Sequence, residues 1–173
     1  MGYSAGGDGV YQLAPRMADR FAAAAMMAGH PNETPPLGLR NIGFTIHMGE
    51  KDSLYNRNLV AIEWKNKLKI LKENDINGYP HHVKIHDGKG HWMGGLDSSA
   101  ITWISKFTRN QYPKKIIWKQ DDVTHNRFYW LKVTNPLENS LIIANIDNQT
   151  ITIEKTKINE IIIRFNDDMI NMD

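Results

Sequence analysis

The chain opens with a serine in the spacing Gly-x-Ser-x-Gly, formed by Gly2, Ser4 and Gly6. In this spacing the serine lies on a sharp turn between a strand and a helix, so that its hydroxyl is exposed. Glycine suits the two flanking positions because a side chain at either one would collide with the neighbouring strand or helix as the backbone reverses. The spacing therefore predicts that Ser4 is a nucleophile.

A serine nucleophile needs two partners, and the chain offers a candidate for each. A serine hydroxyl reacts poorly at neutral pH unless a histidine takes its proton and a carboxylate holds that histidine. We assign the carboxylate to Asp52, with Glu50 as its nearest competitor, and the histidine to His91. Two simpler interpretations stay open. Asp52 could cap the helix that follows it, and His91 could be a surface residue beside Trp92.

The predicted elements bring the three candidates to one edge of a sheet. Asp52 comes after a predicted strand at 39–48, and His91 comes after a shorter one at 83–86. Loops at the carboxyl ends of parallel strands meet at one edge, where open α/β sheets bind ligands. Apolar residues predict helices at 8–17, 58–74 and 96–107 and a strand at 20–27. The prolines and glycines of 29–38 predict a loop there.

Strands and helices thus alternate as far as about residue 109, which is typical of a parallel sheet covered by helices. The run at 20–27 is continuously apolar, as expected of a strand buried on both faces of such a sheet. Its alanines leave a helix as the alternative at this place.

Beyond residue 113 the pattern changes to short β-rich runs separated by turn residues. The runs are 127–134, 140–145, 149–154 and 160–165. Asp147 and Asn148 join two of them closely enough to predict a hairpin. We therefore predict two domains, 1–112 and a small antiparallel β module at 113–173. The aromatic residues of the module are expected to form its core rather than a ligand groove; they are Trp118, Phe128, Tyr129 and Trp130.

Several histidines between residues 81 and 91 raise the question of a metal site. On a helix, His82 and His86 would share a face, as zinc-binding pairs do. Val83 and Ile85 are β-branched and instead favour a strand, in which four residues span roughly 13 Å, too far for one ion. We therefore predict no metal site, and no motif calls for a cofactor.

The composition of the 173-residue chain indicates a packed core and bears on which partners and surroundings the chain could have. Five Trp, six Tyr and five Phe, within 41% hydrophobic residues, are enough for a packed core. The net charge is +2 and the basic residues are scattered, so no surface for nucleic acid is predicted. The longest apolar run, 21–28, is too short to span a membrane. The chain has no cysteine, which leaves its compartment open.

Three short segments together carry a resemblance to a known family. They are Gly-Tyr-Ser-Ala-Gly-Gly-Asp at 2–8, Gly-Glu-Lys-Asp at 49–52 and Gly-Lys-Gly-His-Trp at 88–92. With these segments the chain resembles the α/β-hydrolase superfamily over about 1–109. It looks most like bacterial serine esterases of the dienelactone-hydrolase and depolymerase-like type. In that superfamily the triad residues follow in the order Ser, then Asp or Glu, then His.

The resemblance implies a fold, a set of roles and an activity. The fold is a partial α/β-hydrolase sheet from the serine turn onward, followed by the β module. Ser4 is implied as nucleophile, Asp52 as acid and His91 as base, with the backbone N–H of Ala5 as an oxyanion donor. The activity is cleavage of small or medium carboxylic esters through an acyl-enzyme, without a cofactor. A serine peptidase of the same fold is the alternative, since the sequence does not separate ester from amide substrates.

The position of the serine turn predicts that only the carboxyl-terminal half of such a domain is present. Family members carry several strands and a second oxyanion donor before the turn, whereas only Met1 precedes Gly2. A non-catalytic remnant or a binding module is therefore the alternative to an active enzyme. Without the earlier strands an apolar sheet edge would be open, and we expect the chain to self-associate through it.

Overall fold

The chain folds into two compact units, Met1–Arg109 and Asn110–Asp173. The computed structural model describes residues 1–167 and 169–170. Parallel strands and helices make up the first unit, and antiparallel strands make up the second, so the architecture is of the mixed α/β kind. The sequence predicts the division a little later, after residue 112.

A four-stranded parallel sheet forms the centre of the first unit, as the alternating pattern predicts. Its strands are β1 Gly2–Tyr3, β2 Ala23–Met27, β3 Gly43–Gly49 and β4 His81–His86. They lie side by side in the order in which they follow along the chain. β3 is buried along its whole length. β4 is an edge strand that exposes His82 and Lys84, and a charged side chain on an edge discourages pairing with another chain.

Three α-helices cover this sheet, and they are α1 Ala5–Arg16, α2 Arg57–Asn74 and α3 Ser99–Ile104. On one face, Tyr11 of α1 lies 4.5 Å from Trp64 of α2 and 5.8 Å from Phe44 of β3, between ring centroids. Successive strand residues point to opposite faces. On the other face, α3 packs over a buried cluster formed by Ala25, Met27, Ala28, Met93 and Ala100.

The helix boundaries agree with the apolar spacing in the middle of the unit and differ at its ends. α2 begins within one residue of its predicted start. α1 begins at Ala5 instead of residue 8, so its first turns include Gly6, Gly7 and Gly9. α3 is shorter than the predicted helix at both ends, since Leu96–Ser98 forms a 3-10 turn before it and it ends at Ile104. The run at 20–27 is a strand over its second half, so the helical alternative there is wrong.

The connection from β2 to β3 delays the start of β3. Pro36–Asn41 forms a 3-10 helix, so the strand begins at Gly43 rather than at residue 39. Leu39 is fully buried in this 3-10 helix. A buried apolar residue here gives the same sequence pattern as a buried strand, which is why the sequence predicts that the strand begins at residue 39. Gly38 packs against α1, since a Cβ there would lie 1.9 Å from the carbonyl oxygen of Pro15.

Two three-stranded antiparallel sheets make up the second unit. The strands are β5 Lys115–Lys119, β6 Arg127–Phe128, β7 Leu131–Val133, β8 Leu141–Asp147, β9 Thr150–Lys155 and β10 Ile161–Ile163. One sheet has the order β5-β8-β9 and the other β10-β7-β6. β8 and β9 form the predicted hairpin. Asn148 in its turn has a φ of 50°, which asparagine tolerates. Residues 168 and 171–173 of the predicted module lie outside the described residues.

The aromatic residues of the second unit form its core, as predicted. Trp118, Phe128 and Trp130 are each 1% exposed, and Tyr129 is 7% exposed. The rings of Trp118 and Phe128 stack with centroids 5.7 Å apart. Trp130 Nε1 donates a hydrogen bond to the carbonyl oxygen of Pro113 at 2.9 Å, so its buried polar atom is satisfied.

Candidate active site

Ser4 lies on a tight turn between β1 and α1. Its backbone φ is 56° and its ψ is -122°, a conformation that non-glycine residues rarely adopt and that the surrounding structure has to hold. The N–H of Ser4 donates to the carbonyl oxygen of Met27 in β2 at 2.9 Å, and its carbonyl accepts the N–H of Asp8 at 3.0 Å. These two bonds fix the turn to the sheet on one side and to the helix on the other.

The glycines around Ser4 differ in their steric role. A Cβ at Gly2 would lie 2.1 Å from the carbonyl oxygen of Gly6, so the turn excludes a side chain at Gly2. A Cβ at Gly6 would meet nothing within 4 Å, so the collision predicted for this position is wrong. The requirement falls instead on Gly7, where a Cβ would lie 2.6 Å from the carbonyl oxygen of Met27. Glycine at this place lets α1 approach β2 closely.

Ser4, His91 and Asp52 are joined by two hydrogen bonds. His91 Nε2 lies 2.9 Å from Ser4 Oγ, and His91 Nδ1 lies 2.7 Å from Asp52 Oδ2. With a neutral imidazole, the Nδ1–H donates to the carboxylate and Nε2 accepts the serine hydroxyl. The side chain of Asp52 is 2% exposed and that of His91 is 41% exposed. The carboxylate is thus shielded from water while the imidazole is accessible.

Main-chain hydrogen bonds hold the loop after β3 against the loop after β4. The N–H of Glu50 donates to the carbonyl oxygen of His86 at 3.0 Å. The N–H of Lys51 donates to the carbonyl oxygen of Lys89 at 2.7 Å. These bonds bring the two loops together just before each delivers its titratable side chain, which is why two residues far apart in sequence meet.

Of the two carboxylates considered from the sequence, Asp52 is the one that contacts His91. Glu50 Oε2 instead accepts the N–H of Gly88 at 2.7 Å, so its side chain ties the two loops together. Gly49 permits their approach, because a Cβ there would lie 2.0 Å from the carbonyl oxygen of Gly90.

Asp52 also pairs with an arginine that is 8% exposed. Arg57 Nη1 lies 3.7 Å from Asp52 Oδ1, and the guanidinium carbon lies 4.9 Å from the ring centroid of Tyr55. Tyr55 and Asn56 both have a φ of 57°, a left-handed conformation that costs a residue other than glycine roughly 1–2 kcal/mol. Asn56 is the capping residue of α2, so the alternative that Asp52 caps this helix is wrong.

Three further residues lie beside the hydrogen-bonded set of Ser4, His91 and Asp52. The sequence predicts one of them, Ala5, and does not predict the other two. Ala5 is the first residue of α1, and the first N–H groups of a helix have no intrahelical acceptor. Arg57 and Tyr3 were not predicted, although Tyr3 donates its hydroxyl to the carbonyl oxygen of His91. Tyr3 stands inside the serine motif, which is the only sequence signal for it. No spacing signals Arg57, because its contact depends on the turn that precedes α2.

A second pair of titratable side chains lies within the sheet itself. His47 Nδ1 lies 3.1 Å from His86 Nε2, and the two residues are 1% and 5% exposed. Burial, followed by the charges that His86 and His82 would carry, lowers the pKa of His47 to about 4. Burial also lowers the pKa of His86. Both rings are therefore neutral at physiological pH.

The strand predicted at 83–86 is confirmed and begins two residues earlier, so that His81, His82 and His86 all lie in β4. Within the described part of the chain, no group of three or more His, Cys, Asp or Glu side chains is arranged to hold a metal ion.

Comparison with known proteins adds no relative to this picture. No protein-family model, no curated protein and no solved structure matches this chain. Among the described residues, no helix is at once long and apolar enough to cross a membrane.

Proposed function

We propose that the chain is a serine hydrolase of the α/β-hydrolase type that cleaves carboxylic esters. The observation that carries the proposal is the continuous line of hydrogen bonds from Asp52 Oδ2 through the His91 ring to Ser4 Oγ. These residue types, connected in this way, convert a hydroxyl into a nucleophile. Their order along the chain is also the order of the superfamily that the sequence resembles.

In the first half of the reaction Ser4 Oγ attacks the ester carbonyl. Its proton passes to His91 Nε2, and the carboxylate of Asp52 stabilises the imidazolium that forms. The tetrahedral intermediate then collapses, the bond to the alcohol breaks, and the departing alkoxide takes the proton from His91. The products of this half are the free alcohol and an acyl group bound to Ser4.

In the second half water replaces the serine hydroxyl as the nucleophile. His91 Nε2 accepts a proton from the water as its oxygen attacks the acyl carbonyl. Collapse of the second intermediate breaks the bond to Ser4 Oγ, which takes the proton back from His91. The carboxylic acid leaves, and the enzyme returns to its starting state.

The backbone N–H of Ala5 is the proposed donor to the oxyanion of both intermediates. It follows Ser4 directly and opens α1, where the helix dipole is positive. One such donor is worth on the order of 10²–10³ in rate. It is the single donor that we assign among the described residues. We propose an ester rather than an amide as the substrate because an alkoxide is the better leaving group. We propose small or medium acyl groups, as the resemblance to serine esterases implies.

Labelling with a fluorophosphonate tests the proposal, because such probes phosphonylate an activated serine and spare ordinary hydroxyls. We expect mass spectrometry to locate the adduct on Ser4. Ser4→Ala should abolish labelling and lower the hydrolysis of a p-nitrophenyl ester by at least about 10⁴-fold. Ser105→Ala is the matched control, since Ser105 is exposed and its hydroxyl donates only to its own helix end at Thr102.

Two results would count against the proposal. Labelling that is absent from the native chain, or that persists in Ser4→Ala, contradicts the role of Ser4 and supports a non-catalytic binding module. Cleavage of a p-nitroanilide at a rate similar to that of the matched ester would favour a peptidase over an esterase.

A further inference from the structure

Tyr3 joins the serine turn to the loop that carries the histidine. It is the last residue of β1, directly before Ser4, and its hydroxyl donates to the carbonyl oxygen of His91. Its ring centroid lies 5.6 Å from that of the His91 imidazole and 6.0 Å from that of the Trp92 side chain. One side chain thus contacts both the backbone and the ring of the residue that faces Ser4 Oγ.

The Tyr3 ring is itself held by the sheet. Its backbone pairs with Met27 of β2. The ring packs against the buried cluster beneath α3, formed by Ala25, Met27, Ala28, Met93 and Ala100. Because strand pairing and core packing fix the ring, the position of the hydroxyl is set by the rigid part of the unit.

Hydrogen bonds hold the His91 loop at Lys89, but its glycines allow the backbone nearer to His91 to vary, and the Tyr3 contact restrains that part. Its glycines with positive φ are Gly88, Gly94 and Gly95, and glycine lowers the cost of alternative backbone conformations. The His91 side chain is 41% exposed, so burial does not immobilise it. Asp52 restrains one end of the ring, and Tyr3 restrains the backbone from which the ring extends.

The Tyr3 hydroxyl remains a donor over the range in which a histidine base works. Burial, and then the negative charges of Asp97 and Asp52, raise the pKa of Tyr3 above its ordinary value. The hydroxyl therefore keeps its proton at neutral and mildly alkaline pH, and the bond to His91 persists there.

We propose that Tyr3 is a positioning residue that sets the His91 imidazole at hydrogen-bond distance from Ser4 Oγ. The geometric statement stands on its own contacts, whereas its effect on turnover rests on the proposed function. A misplacement of about 1 Å can cost on the order of 10²-fold in rate. Loss of one hydrogen bond, with the ring retained, allows a smaller displacement.

The activity test compares Tyr3→Phe with Tyr112→Phe, since Tyr112 is 39% exposed in the second unit. Per folded molecule, we expect Tyr3→Phe to lower kcat for a p-nitrophenyl ester roughly tenfold, with KM changed less than about twofold. Tyr3→Leu, which also removes the ring contact, should lose more than Tyr3→Phe. Tyr112→Phe should leave kcat and KM unchanged. Equal kcat values in Tyr3→Phe and the native chain would overturn the proposal.

A spectroscopic test separates this inference from the proposed function. The Nδ1 proton of His91, held by Asp52, should give a far-downfield proton resonance in the native chain. We expect Tyr3→Phe to broaden or remove this resonance while Tyr112→Phe preserves it, whether or not the chain hydrolyses esters. An unchanged resonance in Tyr3→Phe, or its absence from the native chain, would overturn the positioning role.

Discussion

Two pairs of side chains link β3 and β4, one pair within the strands and one in the loops that follow them, and the pairs differ in the properties that govern proton transfer. The inner pair, His47 and His86, lies within β3 and β4. The outer pair, Asp52 and His91, lies in the loops that continue those strands. The partners are 39 residues apart in both cases, two more than the 37 that separate directly paired residues such as Phe44 and His81.

The comparison shows what distinguishes a buried histidine from a usable base. In the inner pair each ring faces another neutral ring, and burial lowers the pKa of His47 to about 4, although Asp97 opposes this shift. In the outer pair the imidazole faces a buried carboxylate and remains 41% exposed. A base that becomes positively charged during the reaction needs such a partner and access to substrate. The outer pair has both features.

Among the tests of this comparison, we expect the largest change in kcat when the carboxylate of Asp52 is neutralised. Asp52→Asn keeps the shape of the side chain but cannot stabilise the imidazolium, so we expect kcat for a p-nitrophenyl ester to fall by about 10³–10⁴-fold. Glu50→Gln is the matched variant, because its amide oxygen can still accept the N–H of Gly88. It should lower kcat less than about tenfold. Steady-state kinetics on both purified variants measures the difference.

The assignment of Asp52 as the acid requires that Asp52→Asn lower kcat more than Glu50→Gln does. If Glu50→Gln lost as much activity as Asp52→Asn, the outer pair would not be the feature that activates Ser4. The carboxylate beside His91 would then not be what distinguishes it from His47 as a base.

A smaller effect is expected from the inner pair, and it concerns stability rather than rate. The pKa of His47 is lowered in the folded chain, so between about pH 6.5 and pH 4 the unfolded chain binds more protons than the folded one. The free energy of unfolding should be level above this window and fall within it, by about 3 kcal/mol in total from His47.

Urea unfolding at several pH values measures this slope. His47→Gln keeps a donor and an acceptor for His86 but does not titrate, so its stability should fall less on acidification than that of the native chain. His125→Gln, in the second unit, should leave the slope unchanged. A native chain whose stability is constant down to about pH 4 would show that the inner pair is not held neutral by folding.

Much of the first unit could be predicted from its sequence because local pattern and tertiary structure agree there. Apolar runs and helical spacing predict the parallel sheet and place the start of α2 within one residue of where it lies. The proximity of Ser4, Asp52 and His91 then follows from one rule, that loops at the carboxyl ends of parallel strands converge. The aromatic core of the second unit follows from composition alone.

The remaining features depend on contacts between residues distant in sequence. Leu39 is assigned to a strand from the sequence because an apolar residue buried in a 3-10 helix has the same sequence pattern as one buried in a strand. Gly7 rather than Gly6 must be glycine because α1 lies against β2, and this packing is not visible in the sequence. The contact of Tyr3 with His91 spans 88 positions, so no local pattern contains it.

The central claim is that the outer pair, and not the inner one, activates Ser4. The second-order rate constant of phosphonylation by a fluorophosphonate, measured for His91→Gln and for His47→Gln at neutral pH, tests it most directly. We expect a loss of at least about 10³-fold for His91→Gln and a change within about threefold for His47→Gln. Equal rate constants for the native chain and His91→Gln, or a larger loss for His47→Gln, would contradict it.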